Sequence, residues 1–119
     1  MTTTALRIGV RRVGYRQVIQ LDGELDGGAA ELVKRAFWDA VECGARDIWL
    51  DLSNVTATDR AGVQAIGALG PACHELNRTV RLVGAAGPVR AALHERAVDE
   101  EIPMFPTLAA AQYEHPDPE

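Results

Sequence analysis

Apolar residues change their spacing along this chain, and the changes mark the elements. "ALRIGV" (5–10) and "YRQVIQLDGEL" (15–25) are apolar-rich runs separated by "RRVG", the pattern of a β-hairpin turning at Gly14. Asp26 then stands where a helix cap belongs. Beyond it Ala29, Leu32, Val33, Ala36, Phe37, Ala40 and Val41 recur at steps of three and four, which predicts an amphipathic helix stopped by Gly44. In "DIWLDL" (47–52), Ile48, Leu50 and Leu52 alternate as in a strand, and the chain continues into a loop, "SNVTATD". A second helix is expected from near Asp59 to Asn77, with Gly62, Ala65, Ile66, Leu69, Cys73 and Leu76 on its core side. "TVRLVGA" reads as the next strand and "GPVRAALHERAV" as a third helix, with Pro88 in a tolerated first-turn position. "MFP" is a short last strand and "TLAAAQYE" a final helix capped by Thr107. Strands alternating with helices after an opening hairpin make an α/β layer fold with a mixed sheet. Residues 1–112 form the single expected domain, and the acidic, proline-bearing tail 113–119 is expected to be disordered.

Composition narrows the class. The 119 residues are 47% hydrophobic and 24% charged, enough for one core without staples. A net charge of −5 supplies no basic footprint for nucleic acid or anionic lipid. No apolar run approaches the ~20 residues that span a bilayer, and "MTTTALRIGVRR" lacks the charged-then-apolar order of a secretory signal. Two cysteines, Cys43 and Cys73, make no disulfide framework. The expectation is a cytoplasmic protein that does not insert into a membrane.

Four segments in order and spacing then carry a resemblance: "LDGELD" (21–26), "LDLSNV" (50–55), the D-x-x-G of Asp59 to Gly62 with its helix, and "RLVG" (81–84) before the third helix. Over residues 5–112 the chain resembles the STAS domain of bacterial anti-sigma factor antagonists. The resemblance implies a mixed sheet of four to five strands with about four helices packed on it. It also implies a non-enzymatic function in transcription regulation, the binding of an anti-sigma factor of the serine kinase type so that a sigma factor is released. In that family the residue after the motif's aspartate is usually a serine that the partner phosphorylates. A phosphoryl group there is stabilised by the helix end and, at roughly −2 charge, repels an acidic partner. Here the position is Arg60, which accepts no phosphate and does not mimic one.

Three accounts of Arg60 follow. It is a neutral surface change, paired with Asp59 or Asp26, a contact contributing at most about 1 kcal/mol. It meets an acidic group on a partner. Or phosphorylation has moved to Thr56 or Thr58, although such threonines more often bond to their own backbone. STAS domains also occur on anion transporters and as small subunits of lipid-trafficking ABC systems, so an accessory transporter subunit is the alternative function, one in which no phosphorylatable serine is needed.

The expected docking surface is the loop 54–59 with the helix after it: Asn54, Thr58, Asp59, Arg60, Ala61, Gln64, Gly67, Ala68 and Pro71. The first helix turns Glu31, Lys34, Arg35, Asp39 and Glu42 outward. The second turns out Gln64, Gly67, Ala68 and Pro71, with charge returning at Glu75, and small uncharged side chains let another backbone approach. Its glycines and Pro71 equally suit a kinked helix under no functional demand. Trp38 is expected to face outward, where a homodimer or partner contact competes with simple half-burial, and Trp49 to cover the second face of the sheet. Asp22, Glu24, Asp26, Asp51 and Asp59 lie near strand ends, but helix capping explains Asp26 and Asp59 more simply than paired-carboxylate catalysis. His74, His94 and His115 lack metal-ligand spacing. "GAAGPVRAAL" lacks the lysine of a phosphate-binding loop, so no cofactor is expected. Cys43 and Cys73 could meet as a redox-sensing pair only if their helices are adjacent, and a buried cysteine is more often a small hydrophobe.

Overall fold

Alternation of strand and helix builds a five-stranded sheet whose spatial order is the chain order. The computed structural model describes residues 6–13 and 16–114. Strand β1 (Arg7–Val13) pairs antiparallel with β2 (Arg16–Leu25), so the two strands of the expected hairpin are present, while the turn assigned to Gly14 lies outside the described residues. Helix α1 (Gly27–Glu42) leads to β3 (Asp47–Thr58), which lies parallel to β2. Helices α2 (Arg60–Gly67) and α3 (Leu69–Glu75) lead to β4 (Thr79–Val83), parallel to β3. Helices α4 (Gly87–Glu95) and α5 (Val98–Glu101) lead to β5 (Met104–Phe105), parallel to β4, and α6 (Leu108–Glu114) follows.

Successive parallel strands added in one direction by right-handed crossovers put their connecting helices on one face of the sheet. The main core accordingly joins Val33 and Phe37 of α1, Ile66 of α2, Leu69 of α3, Leu93 of α4 and Val98 of α5 to Ile19, Leu50 and Leu82 of the sheet. The opposite face is left to α6, where Ala111 and Leu108 cover Val18, Trp49 and Val83. Trp49 therefore does cover the second face, fully buried. Glu31, Lys34, Arg35, Asp39 and Glu42 are exposed as expected, and Gly44, at φ 88°, ends α1 in the left-handed region.

Three expectations need correction. First, residues 53–58 are strand and not loop: β3 runs to Thr58 because β2 continues beside it, pairing Asp22 with Asn54 and Leu25 with Thr58 across two register shifts. Second, the helix expected from Asp59 to Asn77 is two helices broken at Ala68. Pro71 has no N–H to give the Gly67 carbonyl, and its ring crowds that carbonyl, so the α ladder cannot run through. Third, the third helix stops at Glu95 and α5 starts after Ala97, whose φ of 58° breaks the ladder. Six helical segments among the described residues thus replace the expected four or so, and α6 includes Tyr113 and Glu114 of the expected tail, leaving 115–119 outside the described residues. Cys43 is exposed and Cys73 buried, both as free thiols, so no disulfide joins them. No helix among the described residues is long and apolar enough to cross a membrane.

A charged cluster missed by the sequence reading anchors the starts of the central strands. Asp47, first residue of β3, accepts from Arg16 Nε at 3.5 Å, from Thr79 Oγ1 at 2.8 Å and from Arg81 Nη1. The Arg16 guanidinium, only 3% exposed, stacks 3.6 Å over the Trp49 ring, so its charge is held by a carboxylate and a π face together. Asp47→Asn leaves two largely buried guanidinium groups against a neutral amide. It is expected to lower unfolding stability by roughly 2–4 kcal/mol in urea titration, with Asp51→Asn, a carboxylate that accepts from Ser53 and not from an arginine, as the comparison.

At the α4–α5 corner, His94 Nδ1 lies 2.7 Å from Asp99 Oδ2. Hydrogen bonding to Asp99 and then its charge raise the His94 pKa, and hydrogen bonding to His94 lowers that of Asp99. A raised folded histidine pKa gives stability that is complete below the unfolded value of 6.5 and lost as pH rises through the folded value. The lowered carboxyl contributes stability that is complete above 3.8 and lost as pH falls through its folded value. Thermal unfolding of His94→Gln should therefore differ most from wild type between those two limits and converge with it above the folded histidine pKa. A constant difference up to pH 9 would remove this pair as its source.

Candidate functional site

The ends of β2 and β3 meet at a junction from which α1 and α2 both start. Asp26 caps α1, its Oδ1 accepting from the Ala29 amide at 3.0 Å. Asp59 caps α2, its Oδ1 accepting from the Gly62 amide at 2.8 Å, while its Oδ2 accepts from the Gly27 amide at 3.3 Å. One carboxylate therefore serves two helix N-termini, where orphan amides and the helix dipoles both favour negative charge. Capping, and not a paired-carboxylate site, explains both acids.

The glycine of the D-x-x-G motif has a steric cause. A Cβ on Gly62 would come within 2.0 Å of the Leu25 carbonyl oxygen and 2.8 Å of Thr58 Oγ1. That carbonyl also accepts from Thr58 Oγ1 at 2.9 Å and from the Asp59 amide at 3.4 Å. The first turn of α2 is thus pressed onto the backbone linking β2 to α1. Beside it, a Cβ on Gly27 would lie 3.3 Å from that of Ala61.

The expected site residues are brought together on this junction, with different exposures. Asn54, Asp59, Arg60, Ala61, Gln64, Ala68 and Pro71 are exposed. Thr58 is half-buried, its hydroxyl donating to Leu25, whereas Thr56 is exposed. Gly67 is half-buried beside Val98 of α5, 3.5 Å from the place its Cβ would take, so it belongs to the α2–α5 contact more than to the open strip. The pairing of Arg60 with Asp26 or Asp59 does not form: among the described residues Arg60 makes no ion pair, and Asp59 is occupied by amides. Trp38 faces outward at 41% exposure, with its ring edge-on to Phe37. Among the described residues no group of three or more His, Cys, Asp or Glu is placed to hold a metal ion.

Comparison with known proteins gives this arrangement a setting. A model of the STAS domain family matches residues 9–111. No curated protein matches. The fold is shared with tm1081 of Thermotoga maritima (TM-score 0.82, 21% identity over 90% of this chain and 92% of that one). It is also shared with an anti-sigma factor antagonist from Mycobacterium paratuberculosis (0.79, 24%, covering 94% and 95%). A sulfate transporter family protein from Wolinella succinogenes shares it too (0.74, 18%, covering 87% and 88%). At these identities the likenesses establish the α/β architecture with its mixed five-stranded sheet.

Gly62→Ala forces a methyl group into the Leu25 backbone. The expected result is a loss of about 3 kcal/mol or more of stability, above the ~1 kcal/mol that a glycine-to-alanine change ordinarily gains inside a helix. A urea midpoint equal to or above wild type would show that the contact is not tight.

Proposed function

We propose, for a chain that belongs to the STAS domain family, a function as an anti-sigma factor antagonist of the bacterial cytoplasm, working by protein–protein binding and not by catalysis. The partner is an anti-sigma factor of the serine kinase type, whose capture frees a sigma factor. The docking surface is the end of β3 from Asn54 to Thr58 and the Asp59 cap, together with the outer side of α2 and the start of α3: Arg60, Ala61, Gln64, Ala68 and Pro71, with Gly67 at its margin.

The supporting observation is the contrast between two neighbouring helices. The outer side of α1 carries five charged side chains, whereas from Ala61 to Pro71 the α2–α3 strip exposes only Ala61, Gln64, Ala68 and Pro71. Burying these small groups desolvates no charge and immobilises one long side chain, Gln64, so little opposes close approach of a partner. Arg60 stands at the edge of the strip and makes no ion pair among the described residues. It is the contact for an acidic group on the partner. With arginine at the position of the family's serine, this surface is not switched off by phosphorylation there. Thr56, exposed on β3, is the remaining nearby hydroxyl for such control.

Arg60 also favours a second reading, an accessory subunit of a lipid or anion transporter, where no phosphoacceptor is needed. In that role the same strip meets a cytoplasmic ATPase. Exposed Trp38 on α1 is the candidate contact for a homodimer.

Gln64→Glu and Ala68→Arg are each expected to weaken partner binding at least about tenfold, near 1.4 kcal/mol, without lowering the unfolding midpoint. A pull-down from native cytoplasm with wild type and Arg60→Ser identifies the partner. A kinase-like anti-sigma factor, with phosphate appearing only on the introduced serine, supports the antagonist reading. An ABC-type ATPase overturns it in favour of the transporter role, and unchanged affinity of both strip variants removes the surface.

A further inference from the structure

The far end of the sheet carries a second feature, independent of the docking strip. After α3 the chain reverses at Asn77, φ 60°, and the Arg78 amide donates to the Cys73 carbonyl at 2.8 Å, which fixes Arg78 at the foot of β4. Because β5 has two residues, it pairs only with Leu82 and Val83. On that edge the Leu82 amide donates to Pro103 and the Gly84 amide to Phe105. Strand groups alternate with a period of two, so the Val80 N–H points to the same edge, below the reach of β5.

A hollow of about 210 Å³ opens there, lined among others by Cys73, His74, Arg78, Val80, Arg81 and Glu101. In liquid water one molecule takes about 30 Å³, so the hollow accommodates a small polyatomic ion with some of its hydration. In a chain of net charge −5, two guanidinium groups and an imidazole face one carboxylate here. Arg81 is engaged by Asp47, and the Thr79 hydroxyl also donates to Asp47, at 2.8 Å. Arg78 differs. Its side chain makes no ion pair among the described residues, and its Nε–H is shut off from solvent with no acceptor among them. A buried charged donor without an acceptor is unfavourable, and the guanidinium fork matches the oxygens of a phosphate or carboxylate in pairs. Burial pushes the Cys73 thiol up to about 11, so this wall of the hollow carries no negative charge at neutral pH.

We propose that the open foot of β4 is a binding site for a small oxyanion, a phosphoryl or carboxylate group, held by the Arg78 guanidinium and the Val80 amide. His74, in the last turn of α3, adds an imidazole N–H donor, and Glu101 limits the charge the site accepts. Since Cys73 and His74 belong to α3, an occupied site also fastens the end of that helix to the sheet.

The test is ¹H–¹⁵N NMR of the full chain, titrated with sodium phosphate and separately with sodium acetate, ionic strength being held with sodium chloride. Saturable shifts of the Arg78 Nε–Hε and Val80 amide signals are expected, and the anion that saturates at lower concentration identifies the phosphoryl or carboxylate class. Arg78→Gln is expected to weaken that binding at least about tenfold. Should Arg78→Gln fail to give a folded spectrum, Arg78→Lys, which keeps the charge but loses the Nε–H, is expected to weaken it severalfold. No saturable shift at either signal with either anion overturns the proposal. So does wild-type affinity in Arg78→Gln or, where that variant does not fold, in Arg78→Lys.

Discussion

Where α2 begins, its backbone lies against the Leu25 carbonyl so closely that the residue at position 62 can have no side chain. Much of the local arrangement depends on that contact. The carbonyl belongs to the last residue of β2, one step before the Asp26 cap of α1. Pressing α2 onto it therefore sets the distance between the two helices as well as the exit of β3. Asp59 adds the electrostatic half of the same constraint, joining the α2 amide of Gly62 to the α1 amide of Gly27. Sterics fix the approach, and one carboxylate satisfies two positive helix ends. The docking surface proposed above is built on this junction, and these contacts tie it to the sheet; a partner seated there would immobilise less backbone than one seated on a free loop.

The opposite end of the sheet is held by a different interaction. Asp47 gathers Arg16 from β2 and both Thr79 and Arg81 from β4, so three adjacent strands are tied by side chains at their starts. Such a cluster gains less than its short distances suggest, because each ion gave up hydration, but it leaves few alternatives for the strand register. Trp49 contributes on both counts: it fills the second core and presents its face to Arg16. The sheet is thus clamped at one end by charge and at the other by backbone contact, with the aliphatic core between.

The α1 stripe, the opening strands, both aspartate caps and the Thr107 cap were legible because each is a local rule: period 3.6, period 2, or an acceptor preceding a helix. What stayed hidden was tertiary. Residues 53–58 are mostly polar and read as loop, yet they form strand because β2 continues beside them and supplies hydrogen-bond partners. The break at Ala68 was half legible, since Pro71 forbids one ladder bond, but whether the chain bends or stops there depends on packing. The break at Ala97 carried no signal, as alanine in the left-handed region runs against its preference. Asp47 looked like any polar residue before a strand; only the register brings Arg16 and Arg81 to it. For the candidate site, the residues were legible as a group but not their individual settings: Gly67 turned toward α5 and Thr58 inward to Leu25.

Arg60 is where these local and tertiary influences separate. A cation in the first turn of a helix is opposed by the dipole, by a few tenths of a kcal/mol at an exposed site. The neighbouring carboxylate of Asp59, placed to offset this, is directed at the Gly62 and Gly27 amides, and the other nearby acid, Asp26, faces the Ala29 amide. Both acids are committed to holding the junction together, so the guanidinium is left to solvent. In the same first turn Asp59 and Gly62 are fixed by geometry, while Arg60 and Ala61 project outward under no such constraint. The positions that hold the fold and those exposed to solvent thus alternate within one turn of helix. That alternation lets the residue after the aspartate change without disturbing the sheet behind it.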